Sequence, residues 1–379
     1  MTYPRATWRL LNTGVADGAT NMAVDEAILE AVSSGDSPPT LRFYAWHPPC
    51  LSLGYSQAVR DEVDLEACRA RGIDLVRRPT GGRAILHTDE LTYSVVVPQS
   101  DPRVAGEIVE SYRRLCQGLL AGLRMLGLEV MQAGRKPSKP ETFSTACFDA
   151  PSDYELIVGG RKIVGSAQAR RHGVVLQHGA LPLVGDITRI VDVLNLPEDE
   201  REEFRAALRM RATTLEAALG RALSFDEVVR ALAHGFAQAL NLELVPGELS
   251  PSELARAEML RAEKYAAEGW TFQKEKWSFL RSKDFRRSAV SGVTSMTIPV
   301  EMAERDLRQL LENLRLGETI TLVSSEGQPL AVVVSLKSSS VEVKPVSDWE
   351  TRWDELVRGV SRAWKSDKSA VELLTEMRR

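Results

Sequence analysis

Between Val76 and Val97 a short strand-like approach ends in paired arginines, Arg77 and Arg78. It then turns through Pro79, Thr80, Gly81, Gly82 and Arg83 and resumes as a second short apolar run. Glycines at 81 and 82 permit positive φ and let a backbone approach a ligand closely, because no side chain fills the space. Such a turn presents N–H groups to a carbonyl or phosphate oxygen. Spacing by itself favours a hairpin turn carrying solvated arginines.

With 379 residues the chain exceeds the usual size of one domain, so two are expected. A hydrophobic content of 44% and a charged content of 26% are those of a soluble globular protein. No apolar run approaches the roughly 20 residues of a membrane helix. The first residues lack an apolar signal core, so a cytoplasmic location and no membrane partner are expected. The four cysteines, Cys50, Cys68, Cys116 and Cys147, form no Cys-x-x-Cys pair, which argues against zinc and against a disulfide framework. No His-x-x-His or carboxylate cluster proposes a metal. The net charge of −4 gives no general reason to expect nucleic acid.

Along the chain, Asn21 is placed to cap a helix with Val24, Ala27, Ile28, Ala31 and Val32 at helical spacing. Strands are expected at Leu41 to Trp46, Leu51 to Tyr55 and Thr92 to Val97, a short helix at Asp64 to Arg71, and a long amphipathic helix at Ile108 to Leu126. Residues 134–144 read as a surface loop leading to Cys147. Tyr154 to Val158, Gly159-Gly160 and Arg161 to Val164 read as a two-residue hairpin, joined by a third strand from Val174 to His178. The pattern from Glu198 to Leu242 is helical, and helix continues over Ser250 to Gly269. Between Lys274 and Arg287 stand six basic and two acidic residues, the candidate end of the first domain. Beyond it, strands are expected from Thr297, Thr319 and Leu330, with helices over Ala303 to Leu314 and Trp349 to Trp364.

Cys147 is the candidate nucleophile. A lone cysteine is most often a small core hydrophobe, but this one ends a polar loop and precedes a hairpin bearing Lys162. Strict alternation would point Lys162, Val164 and Ser166 to one face. A thiol needs a nearby cation to favour the thiolate, and a reacting carbonyl needs a donor for its developing oxyanion. Lys162 answers both needs; propensity alone makes it an exposed hairpin lysine. His87 and His178 line the site or are structural with equal weight. Arg77, Arg78 and Arg83 bind an acidic group or are solvated or paired structurally.

Four segments carry a resemblance, in order. They are Arg77-Arg78-Pro79-Thr80-Gly81-Gly82-Arg83-Ala84 with His87; Ala146-Cys147-Phe148-Asp149-Ala150-Pro151; Gly160-Arg161-Lys162-Ile163-Val164-Gly165-Ser166-Ala167-Gln168; and Gly173 to Gly179 with His178. From Trp8 to about Trp277 the chain resembles the cysteine-dependent octanoyltransferases of the biotin/lipoate ligase superfamily. That resemblance implies an α+β fold: a catalytic domain with a mixed β-sheet and flanking helices, followed by a small α/β C-terminal module. It implies a Cys147 acyl-enzyme with Lys162 beside it. Arg77, Arg78, Thr80, Gly81, Gly82, Arg83, His87, Gly165, Ser166, Ala167 and His178 are the candidate substrate-binding residues. The implied donor is octanoyl-acyl carrier protein; the acceptor is a lysine of glycine-cleavage H protein or a lipoyl domain. No cofactor and no ATP are expected. The ATP-dependent lipoate–protein ligases share the glycine loop and the lysine hairpin. Against that branch stand Arg83, where the ligases carry another glycine, and Cys147, which they do not need. An amidotransferase taking octanoyl from H protein also uses such a cysteine and remains an alternative, as does a non-enzymatic regulatory scaffold.

Thr297 to Leu336 resembles the antitoxin domain of the prevent-host-death type, through Ile298-Pro299-Val300, Ala303 to Leu311, Leu316 to Val323 and Gly327 to Val334. The expected domains are 1–277 catalytic, 278–295 basic linker and 296–379 antitoxin-like. From Ser288 to Arg379 there are 12 basic and 14 acidic residues, so a phosphate-binding stripe is not evident. The module is read first as a homodimerisation or partner-binding appendage and second as a DNA binder.

Overall fold

A computed structural model describes residues 3–133, 155–272, 295–299, 319–323 and 329–334. The chain resolves into two compact units, Met1–Ser282 and Lys283–Arg379. The first contains strands β1 (Ala6–Ala16), β2 (Thr40–Trp46), β3 (Cys50–Leu53), β4 (Asp74–Arg77), β5 (Ile85–His87), β6 (Glu90–Pro98), β7 (Met131–Gln132), β8 (Leu156–Val158), β9 (Arg161–Arg171), β10 (Val174–Pro182) and β11 (Leu242–Pro246). Its helices are α1 (Gly18–Ser34), α2 (Val59–Glu62), α3 (Leu65–Ala70), α4 (Ile108–Met125), α5 (Glu198–Arg211), α6 (Leu215–Leu219), α7 (Phe225–Leu240), α8 (Pro251–Leu260) and α9 (Glu268–Thr271).

One mixed sheet has the strand order β11-β1-β2-β6-β10-β9-β8-β7, and a smaller one the order β4-β3-β5. β1 runs parallel to both β2 and β11, while β6, β10, β9 and β8 continue antiparallel. Alternation sorts the large sheet into two layers. Leu41, Phe43, Tyr93, Val95 and Val175 pack with Leu115 and Leu119 of α4 and Leu232 and Phe236 of α7. On the opposite face Tyr44, Trp46, Val96 and Leu176 pack with Met22, Ile28 and Val32 of α1 and with α8. α4 and α7 approach closely because Gly118, Gly122 and Gly235 meet there: a Cβ on Gly235 would lie 2.2 Å from the Gly122 nitrogen.

Several boundaries differ from the sequence expectation. α1 begins at Gly18, because Asp17 accepts from the Thr20 N–H and caps it; Asn21 instead lies inside the helix, donating to the Ala16 and Ala45 carbonyls. The helical stretch after Glu198 is broken. Ala212 bridges to Lys162 of β9, and Thr214 and Ser224 each start a new helix as side-chain caps. β1 and β11 had no distinct sequence signal. The two hairpins form as expected, with Gly159 and Gly160 at φ 54° and 78° and His172 and Gly173 at φ 50° and 73°.

Within the second unit, β12 (Ser295–Pro299), β13 (Thr319–Val323) and β14 (Pro329–Val334) form a three-stranded sheet, parallel then antiparallel. The helices expected at 303–314 and 349–364 lie outside the described residues.

Candidate active site

The glycine loop is held by its carbonyls. The Thr80 carbonyl accepts from the Tyr55 N–H at 2.9 Å, and Arg78 Nη2 donates to the Gly81 carbonyl at 3.2 Å and the Arg83 carbonyl at 2.9 Å. The Gly82 carbonyl packs directly on Gly54, where a Cβ would come within 1.9 Å of the oxygen. With the carbonyls turned inward, Gly81 and Gly82 are exposed, and among the described residues no acceptor takes either N–H. Gly82, at φ 95°, lies beside Ala167 of β9. The loop is thus a rigid cradle with donors outermost, suited to an oxyanion or another acceptor.

The paired arginines are buried, not solvated. Arg78 also donates to the Ser52 carbonyl and hydroxyl at 2.8 and 2.7 Å. Arg77 points elsewhere: its guanidinium donates to the carbonyls of Gly54, Tyr55, Gln57, Trp270 and Thr271 and ties the loop base to α9. Arg83 is half-buried at the loop's end.

Both candidate histidines are buried in polar networks. His87 stacks on Trp46 with ring centroids 3.9 Å apart, and its nitrogens meet Ser52 Oγ and Glu90 Oε1, each at 2.6 Å. It is linked to the loop through Ser52, whose hydroxyl Arg78 also binds. His178 touches the loop itself, with Nε2 2.7 Å from Thr80 Oγ1 and Nδ1 3.2 Å from Asp25 Oδ2. Asp25 also accepts from Arg42, Ser94 and Tyr44. Burial by itself raises the Asp25 carboxyl, but the Arg42 guanidinium and the His178 contact outweigh it and hold it low. Burial lowers His178, against the pull of Asp25.

On β9, Lys162 is buried and its Nζ lies 2.5 Å from Glu155 Oε1, which is equally buried. The exposed-lysine alternative therefore does not hold. Nor does strict alternation. Leu156 pairs with Val164 and Ile157 with Lys162, so the register skips Ile163, and both Ile163 and Val164 enter the same core. Ser166 accepts from the Tyr93 hydroxyl at 2.9 Å and sits beside Gly179, where a Cβ would come within 2.5 Å of its oxygen. Gly165 pairs with Ala180 and is buried. Ser166 and Ala167 are thus divided: the serine meets Tyr93 within the sheet's α4-side layer, whereas Ala167 lies against the glycine loop. Tyr112 of α4 is pushed up by burial and by Cys116, Tyr93 and Glu155, and Ser166 opposes this.

Cys50, Cys68 and Cys116 are free and buried. Burial raises all three thiols, Cys68 to about 11 and Cys116 to about 12. Cys147 lies outside the described residues; of the residues flanking that stretch, the Ala133 N–H donates to the Glu155 carbonyl at 2.8 Å. Among the described residues no group of three His, Cys, Asp or Glu side chains is placed to hold a metal, and no helix is long and apolar enough to cross a membrane.

Asp25, Glu155, Ser52 and Gly54 were not singled out by sequence. Asp25 had a signal, being a carboxylate in the α1 stripe with Ile28, Leu29 and Val32, all buried. The other three are recruited by contacts that no local pattern announces.

A family model described as the lipoyl protein ligase A/B catalytic domain matches residues 17–237, more than half of the chain. The chain belongs to that family. Octanoyltransferase LipM of Symbiobacterium thermophilum is 51% identical over 246 residues, covering 64% of this chain and 89% of the relative. The octanoyltransferase LipM of Moorella thermoacetica is 50% identical over 246 residues, covering 64% and 90%. Among solved structures, a bi-partite lipoate protein ligase from Thermoplasma acidophilum aligns with a TM-score of 0.60 at 29% identity, over 71% of this chain and 97% of that one. A lipoate-protein ligase A bound with ATP aligns at 0.59 and 29%, over 71% and 100%. The mixed sheet with flanking helices is therefore the lipoate ligase fold. The family match begins at Asp17, the cap of α1, and ends inside α7, so it takes in the glycine loop, the Cys147 segment, β9 and β10.

Proposed function

We propose that the chain is an acyltransferase of lipoate assembly that moves an octanoyl group from octanoyl-acyl carrier protein to a lysine of H protein or a lipoyl domain. The Cys147 thiolate attacks the thioester carbonyl, a tetrahedral oxyanion forms, and the carrier thiolate leaves as the acyl-enzyme thioester closes. The acceptor amine then attacks that thioester, loses a proton as the amide forms, and releases the Cys147 sulfur. Gly81 and Gly82 N–H groups and Lys162 stabilise the oxyanion, and Glu155 holds the Lys162 amine in place. Thioester exchange is nearly thermoneutral and thioester to amide is downhill, so this route needs no nucleotide.

The cysteine inventory carries this reading. Three of the four thiols are buried and raised, which disfavours their thiolates and leaves Cys147 as the candidate nucleophile. Identity of about half to octanoyltransferases, against 29% to the ligases, favours transfer over adenylation. Incubation with octanoyl-acyl carrier protein without ATP should add one octanoyl mass to the protein, and Cys147→Ala should abolish it. Retained acylation and turnover in that variant would refute the assignment. A requirement for ATP and free acid would favour the ligase reading. Octanoylated H protein as the sole donor would favour the amidotransferase.

The second unit, with its β12-β13-β14 sheet, is proposed as an antitoxin-like homodimerisation module joined by the basic linker. Removing residues 288–379 should lower the solution mass to that of a monomer; an unchanged oligomer would count against this.

A further inference from the structure

We infer that Asp25 is a positioning residue for the glycine loop, acting through His178 on the Thr80 hydroxyl. The inference rests on the reading of that loop as the acyl-binding element. Asp25, His178 and Thr80 are all buried, and they form one line of contacts from the middle of α1, across β10, to the loop.

The direction of each hydrogen bond follows from what each group can do. An ionised carboxylate only accepts. Asp25 is held ionised by Arg42, whose Nη1 lies 2.7 Å from Oδ1. His178 Nδ1 must therefore carry a proton and donate to Oδ2. Burial keeps the ring neutral, so Nε2 is bare and accepts. Thr80 Oγ1 then has to donate, which fixes its χ1 and, with the Thr80 carbonyl bound to Tyr55, fixes the peptide leading into Gly81. The loop is thereby held at Thr80 as well as through the Arg78 bonds to the Gly81 and Arg83 carbonyls. Arg42 is held in turn by the Asn21 carbonyl and side chain and by Thr13, so the line ends in a fixed scaffold.

The test begins with the unmodified full chain. With only five histidines, ¹⁵N-labelled imidazole resonances can be assigned by loss of one set in His178→Gln. His178 is expected as the Nδ1–H tautomer; an Nε2–H tautomer would overturn the inference. Amide hydrogen exchange of the Tyr55 N–H, which donates to the Thr80 carbonyl at 2.9 Å, supplies a second readout that needs no activity. Thr80→Val should speed it roughly tenfold, Thr80→Ser should restore it, and Asp25→Asn should match Thr80→Val. The double variant should add nothing beyond either single change, as one line of action requires. Unchanged exchange in Thr80→Val, or full additivity in the double variant, would sink the idea. If Asp25→Asn does not fold, the tautomer and the Thr80 pair still decide. In octanoyl transfer, Thr80→Val should lower kcat about tenfold with KM little changed. A wild-type chain that transfers no octanoyl would refute the functional reading while leaving the tautomer and exchange results to judge Asp25.

Discussion

Gly54→Ala tests the claim that the glycine loop is a rigid cradle. Gly54 has no positive φ, so an alanine there suffers no backbone strain, and its effect comes from contact alone. The added Cβ would lie 1.9 Å from the Gly82 carbonyl oxygen and 2.8 Å from its carbon, and real Cβ atoms essentially never come within 3.0 Å of a neighbour. The loop must retreat by about 1.1 Å, the difference between those limits. Both partners are backbone, and Arg78 holds the carbonyls on either side of Gly82, so no flexible side-chain end can absorb the movement. Overpacking of this kind typically costs about 1–3 kcal/mol of stability. Displacing catalytic donors by about 1 Å costs roughly 100-fold in rate, or about 2.7 kcal/mol of barrier. Acyl-enzyme formation followed by intact mass on a stopped time course, beside urea unfolding, measures both. Gly81→Ala is the internal control for stability: its Cβ meets open space and its φ is ordinary, so unfolding should shift by less than about 0.5 kcal/mol. A Gly54→Ala protein that acylates at the wild-type rate would show that the loop position does not set the chemistry.

Glu155→Gln replaces a buried carboxylate beside Lys162 by an amide; hydrogen bonds to charged groups are worth about 1.5–3 kcal/mol, so a loss of about 2 kcal/mol in urea unfolding is expected, with slower acylation. Unchanged stability would mean the pair is not formed. Acid should destabilise the fold in two windows. His178 is lowered from 6.5 when folded, so below about pH 6.5 the unfolded chain binds the extra proton and stability falls; His178→Gln should remove this step from a Tm–pH profile. Asp25 and Glu253 are lowered when folded, so their contributions are present above pH 3.8 and 4.5 and are lost as pH falls through their depressed values. Gly235→Ala gains about 1 kcal/mol of helix propensity, yet its Cβ would meet the backbone of Gly122 and Gly118 at 2.2 and 2.5 Å, so a net fall in Tm is expected. A rise would show that α4 and α7 can separate freely.

The sequence made the hairpins legible because their information is local. Gly159-Gly160 and His172-Gly173 take the positive φ that a two-residue turn demands, whatever surrounds them. The edges of the main sheet were not legible in the same way. β11 is five residues whose register is set by β1, more than two hundred positions away. The same division runs through the site. Arg78, Thr80 and His178 were visible as motif members, but Ser52 and Tyr55, which hold Arg78 and Thr80, and Asp25, which holds His178, come from strands and helices that the motifs do not mention. Lys162 was visible and Glu155 was not, though only seven positions separate them, because a bulge at Ile163 breaks the alternation from which its direction was read.

That division has a mechanistic consequence. A motif residue exposed to substrate needs only the right chemistry, whereas a buried residue that aims it needs a fixed address in the fold. Arg77 illustrates the second kind within the motif itself. Its guanidinium is enclosed by five carbonyls and cannot also serve as an open anion clamp without surrendering buried hydrogen bonds. Adjacency in sequence therefore hides two different roles, since Arg78 braces the loop from beneath while Arg77 fastens the loop base to Thr271 at the end of α9. Arg77→Lys keeps the charge but loses the planar fork, since an ammonium cannot reach carbonyls on opposite sides at once. The expected result is a fall in stability of about 2 kcal/mol or more by urea unfolding, as buried carbonyls lose their donors. An equally stable Arg77→Lys protein with a weakened affinity for an acidic donor would instead make Arg77 a substrate contact.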